Sequence, residues 1–486
     1  MTGAQGDFQV KRQKGKKGFR IERDSLGERE VPAGAYYGVQ TARAVENFPI
    51  SGVTARPEFI RATALIKKAA ALANMDAGKL DRRRGRTILQ AAEEVAEGEW
   101  HEHFVVDVFQ AGGGTSHNMN VNEVLANRAI EILGGKRGDY SIVHPNDHVN
   151  MSQSTNDVFP TAMRIAALFS VADLMPVLEG LGEALEAKGR EFDGIIKSGR
   201  THLQDAVPIR LGQEFSAYAV AVNKGCEAIR HEADRLLELG IGGSAVGTGI
   251  NTHSDYQKKM VAHLCKLTGF RLYGSKNLVA SMQSMSDFVS LSGGLRMLAA
   301  ELIRIANDLR LLSSGPMTGL AEIRLPAVQP GSSIMPGKVN PSMAEALNMV
   351  GFQVIGNDTV ITLAAQAGQL ELSVMMPVIN YNLLQSIHLL THVVRVFTEK
   401  CVKGIVADEG RCRELAERTL GLATILNPVI GYEAAAAMAK ESLATGKPVR
   451  DLVVEKRILS KAGADKILDP YKMTTSQRDA GKSKRR

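Results

Sequence analysis

The chain has 486 residues, enough for several domains around a substantial core. Hydrophobic residues make up 44%, charged residues 23% and aromatic residues only 5%, which excludes a disordered chain and suits packed helices better than a β-sandwich. The formal charge of +7 does not belong to the folded body: residues 1–20 and 471–486 each carry six Lys/Arg against one Asp, leaving −3 for the rest, so no nucleic-acid-binding face is expected there.

The basic segment at the N-terminus has no apolar stretch behind it and does not read as a secretory signal. Cys226, Cys265, Cys401 and Cys412 form no CxxC pair and read as reduced, mostly buried thiols, which points to the cytoplasm. No uninterrupted run of 18 apolar residues occurs, so no membrane partner is expected. Weak alternation near the N-terminus permits short strands. In "WHEHF", His101 and His103 stand two apart, share no helical face, and read as surface histidines. His144 and His148 have helical spacing without a third ligand and read as structural.

"GGGTSHNMN" (112–120) places Thr115 and Ser116 after three glycines. Neither it nor "GGSAVGTG" (242–249) has the GK[ST] ending of a phosphate loop, so no nucleotide is expected. Three polar segments run into a proline: 154–160, 201–208 and 338–341. Proline favours the first helical position, so each is expected to present hydroxyls and amides at the positive end of a helix, where anions bind.

Between 286 and 313, Phe288, Leu291, Leu295, Leu298, Leu302, Ile305, Leu309 and Leu312 follow a 3-4 alternation, which predicts a long helix packed lengthwise on others. The stretch 341–403 looks similar, with expected interruptions at Gly351, Gly356, Gly368 and Pro377. Gly/Pro-rich breaks at 239–249 and 313–341 separate the long helices. No βαβ rhythm or internal repeat is present, and the fold class read from this is all-α.

The second break contains "GSSIMPGKVNP" (331–341), with two serines, a lysine and an asparagine but no histidine, cysteine or carboxylate. Gly331 and Gly337 permit a tightly turned or mobile loop. Lys338 supplies a point charge for a carboxylate, and Asn340 a donor beside it. A partner for Ser332 or Ser333 from elsewhere in the chain leaves acyl transfer open on spacing alone.

This loop resembles the signature of the aspartase/class II fumarase superfamily. So do "GTSHNMNVNEVLANRA" (114–129), "HPNDHVNMSQSTNDVFPTAM" (144–163), "GRTHLQDAVPIRLGQEF" (199–215), "GGSAVGTGINT" (242–252) and "NDLRLLSSGP" (307–316), in family order. The resemblance runs from about Phe19 to Met473. It implies an N-terminal domain (19–155), a central helical-bundle domain (156–411) and a small C-terminal domain (412–474); the basic tails outside it (1–18 and 475–486) read from their composition as solvated and disordered. It also implies a homotetramer whose central domains form a twenty-helix core and whose active sites are shared among subunits.

The implied reaction is anti elimination from a small dicarboxylate, giving fumarate through an aci-carboxylate. That intermediate carries a second negative charge, so preorganised donors are the main demand. The resemblance assigns this work to Thr115, Ser154, Thr155 and Ser333. It assigns the other carboxylate to Thr201, Lys338 and Asn340. Asn156 and His202 fall near the leaving group, with Glu345 as partner of the histidine, and Ser332 is the implied base. No organic cofactor is implied; some members respond to divalent metal, at a site the sequence does not locate.

The N-terminal block "REVPAGAYYGVQTARAVENFPISG" (29–52), Thr155 and Val207 resemble the aspartase branch, which releases ammonia from L-aspartate. "NPSMAEALNM" (340–349) is closer to the fumarase branch, which releases water from L-malate, and Met376 departs from the Glu that aspartases tend to carry there. Gly113 fits neither habit, since fumarases tend to carry Ser there and aspartases Ala. The aspartase branch is the expectation. A non-catalytic protein on this scaffold is disfavoured by intact Ser332, Lys338, Asn340 and His202.

Overall fold

A computed structural model describes residues 18–474; the expectation for the basic tails otherwise concerns residues outside those described. The fold is all-α, with strands only in two-stranded pairs among the described residues. Strands β1 (Phe19–Asp24) and β2 (Gly27–Pro32) form a hairpin in which Asp24 pairs with Gly27. The turn closes because the Asp24 carboxylate accepts from Leu26 N at 2.9 Å.

Helices α1 (Val39–Asn47), α2 (Pro57–Asp76), α3 (Arg82–Ala96) and α4 (Thr115–Ile132) follow. Helix α2 opens on Pro57 and Glu58, both favourable in a first turn; α3 is capped by Asp81, whose side chain accepts from Arg83 N and Arg84 N. Then come α5 (Thr155–Glu191), strands β3 (Ile196–Thr201) and β4 (Gln204–Arg210), α6 (Leu211–Asp234), α7 (Tyr256–Thr268), α8 (Leu278–Gln283) and α9 (Ser286–Leu312). Long helices α10 (Ser342–Gln366) and α11 (Met376–Lys400) precede six shorter ones, α12 (Glu409–Arg418), α13 (Leu422–Ile430), α14 (Tyr432–Thr445), α15 (Val449–Glu455), α16 (Lys461–Ile467) and α17 (Pro470–Met473).

The chain divides into two compact units that interleave in sequence. The first takes the described residues up to Val171, then His231–Ser292 and Asn357–Gln385; the second takes Ala172–Arg230, Gly293–Gly356 and the residues from Ser386 on. Helices α5, α6, α9, α10 and α11 each contribute residues to both. In the first unit, Ile60, Ala64, Ile88, Ala92, Val121, Val124 and Leu125 of α2, α3 and α4 build a core in which small alanines allow close helix approach. In the second, Leu422, Leu426, Val449, Val453 and Ala464 give the C-terminal helices a core of their own.

The seam of α9 is as predicted: all eight residues from Phe288 to Leu312 lie inside one helix and are buried. Helix α5 is long and apolar enough to cross a membrane by length and composition, yet 61% of its most apolar window is buried in the protein. It also carries buried Arg164, paired with Asp287 at 2.7 Å, so it reads as a core helix.

Several local expectations are corrected. Gly351 and Gly356 do not interrupt α10. Gly351 instead allows close packing, since a Cβ there would stand 2.6 Å from Ile303 Cγ1. The break falls at 367–375, and Pro377 sits in the first turn of α11, where its missing N–H is harmless. Pro160 lies inside α5, which already begins at Thr155, and Pro208 lies in β4 opposite Ser198. Only Pro341 stands at a helix start, just before Ser342. His103 is buried against Tyr36 and Trp100, not on the surface, and that burial lowers its pKa. His144 and His148 are structural, with His144 Nδ1 accepting from Asn146 N and Asp147 N. Cys226, Cys401 and Cys412 are buried free thiols; Cys265 is partly exposed.

His117 of α4 is buried beside Phe59, and its Nε2 meets Thr63 Oγ1 at 3.1 Å. Thr63 Oγ1 already donates to Phe59 O, so the imidazole is the donor in that contact. Burial, reinforced by the Lys67 ammonium, pushes its pKa down to about 3. The unfolded chain therefore binds this proton first as pH falls below the ordinary histidine value, and stability drops. By linkage the loss between pH 7 and pH 4.5 is about 2–3 kcal/mol per chain. The fall in thermal midpoint between those pH values is expected to be smaller in His117→Gln than in the parent protein, as scanning calorimetry would measure. Asp157, whose raised pKa acts in the opposite sense, is common to both proteins.

Candidate functional site

In the first unit the N-termini of α4 and α5 lie side by side. Gly113 and Gly114 precede α4 with φ of 75° and 84°, conformations that L side chains rarely adopt. A Cβ on Gly114 would stand 2.1 Å from the Phe159 ring, so glycine is what lets the start of α4 reach α5. Thr115, the first residue of α4, is exposed. A Cβ on Gly113 would lie 3.8 Å from Asn156 Oδ1, which places Asn156 next to this turn.

Ser154 and Asp157 cap α5 reciprocally. Ser154 Oγ accepts from Asn156 N at 3.3 Å, and Asp157 Oδ1 accepts from Ser154 N at 3.0 Å. The other Asp157 oxygen accepts from Gly242 N and Ser244 N, both at 3.0 Å, pinning the glycine-rich 242–249 turn to the same helix start. Asn156 Nδ2 donates to Ala245 O at 2.8 Å, so Oδ1 is left as its acceptor face. Thr115, Ser154, Thr155 and Asn156 are thus brought together, as the positive-helix-end argument expects, although the helix begins five residues before Pro160.

Beneath them lies a feature that the sequence reading missed. Lys67 of α2 is fully buried, and its ammonium donates to Asn118 Oδ1 at 2.8 Å, Asn150 Oδ1 at 2.9 Å and Gln153 Oε1 at 3.0 Å. Burial pushes its pKa down to about 7, opposed by the Asp157 charge. Burial likewise pushes Asp157 up to about 6, opposed by backbone N–H groups and Lys67. The signal was available: Lys67 shares a helical face with Ile60, Thr63, Ala64, Ala70 and Ala71, an uncommon place for a charge without partners.

In the second unit, Thr201 and His202 do not open a helix. They sit at the tip of the β3–β4 hairpin, where Thr201 pairs with Gln204 around a two-residue turn. His202 and Leu203 have φ of 55° and 59°, the left-handed pair of a type I′ turn normally left to Asn-Gly. Both are exposed, and a turn built from such residues stores strain. The base of the hairpin is held by buried charge. Lys197 Nζ meets Glu214 Oε1 at 2.9 Å and Glu322 Oε2 at 3.4 Å, and Arg200 meets the same Glu322 oxygen at 2.9 Å.

The loop 331–341 is closed at its neck, where Gly331 N donates to Lys338 O at 2.8 Å and Asn340 Nδ2 to Gly331 O at 2.8 Å. Asn340 thus commits one of its two amide N–H groups to the neck and keeps the other. Ser332 Oγ accepts from Ile334 N at 3.2 Å and Met335 N at 3.1 Å. Two backbone donors on a hydroxyl oxygen stabilise negative charge there. Ser333 and Lys338 are exposed, as is Ile334 at 83%. Glu345 lies in the first turn of α10, and among the described residues no hydrogen bond or ion pair joins it to His202. Among the described residues no group of three or more His, Cys, Asp or Glu is placed to hold a metal ion.

Comparison with known proteins gives the family. The lyase family model matches residues 27–356, and a model of the fumarase C C-terminus matches 422–475. The chain is 52% identical over 460 residues to an aspartate ammonia-lyase of Bacillus subtilis, covering 95% of this chain and 97% of that protein. It is also 51% identical over 457 residues to a class II fumarate hydratase of Halobacterium salinarum, covering 94% and 97%. A crystal structure described as fumarate lyase:delta crystallin from Brucella melitensis, bound to cobalt, superposes with a TM-score of 0.92 at 50% identity, covering 94% of this chain and all of that one. The matched models span most of the chain and the relatives nearly all of it: the chain belongs to the lyase family that contains the aspartases and class II fumarases.

Proposed function

We propose that the protein catalyses the reversible deamination of L-aspartate to fumarate and ammonia. The C3 proton is removed by Ser332 as alkoxide, the electron pair passes into the adjacent carboxylate, and the aci-carboxylate then expels the C2 substituent with its bonding pair. The Ser332 oxygen with its two backbone donors suits the first step. Thr115, Ser154 and Thr155 at two helix N-termini, with Ser333, suit the doubly charged carboxylate. Thr201, Lys338 and Asn340 hold the second carboxylate; Asn340 does so from the closed neck of the loop. His202 lies beside the leaving group, and in this proposal its brace is the Glu345 of a neighbouring subunit. These residues fall in different units, and the proposal has subunits of a homotetramer combining them into shared sites. It uses no organic cofactor and routes no step through a metal.

The observation that carries the choice of leaving group is the orientation of Asn156. Its amide nitrogen is engaged by Ala245 O, so its oxygen faces the turn at Gly113 as an acceptor. An ammonium at C2 offers three donors and leaves as neutral ammonia without an added proton. A malate hydroxyl offers one donor and needs a proton to leave as water. Glycine at 113 keeps a serine hydroxyl away from that oxygen. The fumarase reading is favoured by the Halobacterium salinarum relative, at nearly the same identity as the Bacillus subtilis one.

Separate incubations with L-aspartate and L-malate, followed by fumarate absorbance, are expected to show at least ~10²-fold higher kcat/KM for aspartate. Comparable rates or a preference for malate would place the chain in the fumarase branch. In the same assay Ser332→Ala is expected to lose turnover while keeping most of its substrate affinity, whereas Lys338→Ala should chiefly lose affinity. A Ser332→Ala protein with more than about a tenth of the parent rate, a difference of only ~1.4 kcal/mol, would require another base.

A further inference from the structure

Thr155 is the residue through which the buried lysine reaches the proposed site. Its Oγ1 accepts from Asn118 Nδ2 at 3.0 Å and makes no other hydrogen bond among the described residues. A threonine hydroxyl has one proton, and an oxygen that already accepts from an inward-facing amide keeps that proton for an outward acceptor. The direction of the Thr155 O–H therefore depends on which end of Asn118 faces it. That choice is made on the far side of the amide, where Asn118 Oδ1 accepts from Lys67 Nζ at 2.8 Å. An ammonium has no acceptor, so a flipped Asn118 would turn its NH2 against a cation.

The same ammonium donates to Asn150 and Gln153, and these bind the backbone of the strap that leads into α5. Asn150 Nδ2 donates to Gln153 O at 3.2 Å, and Gln153 Nε2 to Val149 O at 3.0 Å and Met151 O at 3.2 Å. No carboxylate among the described residues forms an ion pair with Lys67. The charged or titratable groups facing it are Asp157 of α5, attractive, and His117 of α4, held neutral by burial. A fully buried cation hydrogen-bonded only to three side-chain amide oxygens is a costly arrangement for stability alone, since desolvation opposes it.

We propose that Lys67 and Asn118 are positioning residues that polarise Thr155, fixing its hydroxyl as a donor toward the substrate carboxylate. The inference rests on the reading of Thr155 as a donor to the aci-carboxylate. The relay acts on the intermediate more than on the ground state, because the outward donor is worth most when the carboxylate carries its second charge. Its signature is a fall in kcat with little change in KM.

The deciding variant is Asn118→Asp in the full chain. It conserves size and gives Lys67 a carboxylate but gives up the Asn118 Nδ2 donation to Asn150 Oδ1 at 3.3 Å, so a purely structural role predicts a change in stability with ordinary kcat in the folded protein. The relay predicts the opposite for catalysis: the carboxylate accepts on both sides, turns the Thr155 proton inward, and lowers kcat by ~10²-fold at similar KM. Thr155→Ala should lose a comparable factor, and Asn118→Asp/Thr155→Ala should lose no more than Thr155→Ala alone. Lys67→Met should follow the same non-additive pattern where it folds; if it does not, the asparagine cycle decides. Retention of more than a third of the parent kcat by Asn118→Asp, or multiplicative losses in the double variant, would overturn the relay while leaving the elimination intact. A parent protein that neither turns over L-aspartate or L-malate nor binds fumarate by calorimetry would overturn the proposed function and the relay with it.

Discussion

A buried ammonium must be surrounded by acceptors, and in the first unit that requirement organises the helix start on which the proposed chemistry depends. Lys67 sits in a helix otherwise packed with alanine and isoleucine. Its three acceptors come from α4 and from the strap 150–153, so satisfying one cation sets the position of both relative to α2. Asp157 has the complementary role at the start of α5. It caps that helix through Ser154 and draws the 242–249 turn onto the same spot through two backbone donors. The two charges oppose each other's desolvation without pairing directly, which leaves the surrounding amides and hydroxyls free to be aimed.

The second unit meets a different demand by similar means. A histidine at the tip of a hairpin has to be held out in solvent, and the turn uses two non-glycine residues in the left-handed region to do it. Such a turn persists only if the strands below it are firmly tied. Lys197, Arg200, Glu214 and Glu322 tie them through ion pairs largely shielded from water. The signature loop, by contrast, is fastened at its neck, within the Ser332 turn and by Lys338 N on Met335 O, with its apolar crown exposed. That combination suits a segment that presents a prepared oxygen and closes over a small anion.

Both arrangements suit the proposed elimination beside a carboxylate. Little in that reaction requires covalent chemistry from the protein; most of it requires donors already in place before the charge appears. Helix starts supply such donors because their first N–H groups and hydroxyls have no intrahelical partners. The glycines at 113 and 114 serve this end, allowing two helix starts to approach where any side chain at 114 would collide with Phe159.

The helical class, the α9 seam and the family were legible in the residues themselves. A 3-4 apolar repeat has a single low-energy outcome at that length, and the signature loop is long enough to be specific. The 154–157 segment was legible as a helix start, because Ser and Asp before an apolar run satisfy orphan N–H groups. What only the tertiary structure decided were the points where a local preference met a non-local partner. Pro208 favours a helix start, but its segment pairs with β3 and becomes a strand. Gly351 looks like a break, but close packing against Ile303 keeps it helical. Lys67 lies on an apolar helical face while its companion Lys68 is partly exposed, so its burial was readable, but the partners that satisfy it were not. Nothing in the spacing of Lys67, Asn118, Asn150 and Thr155 announces that they touch, because their contacts join separate segments that meet only when α2, α4 and α5 pack.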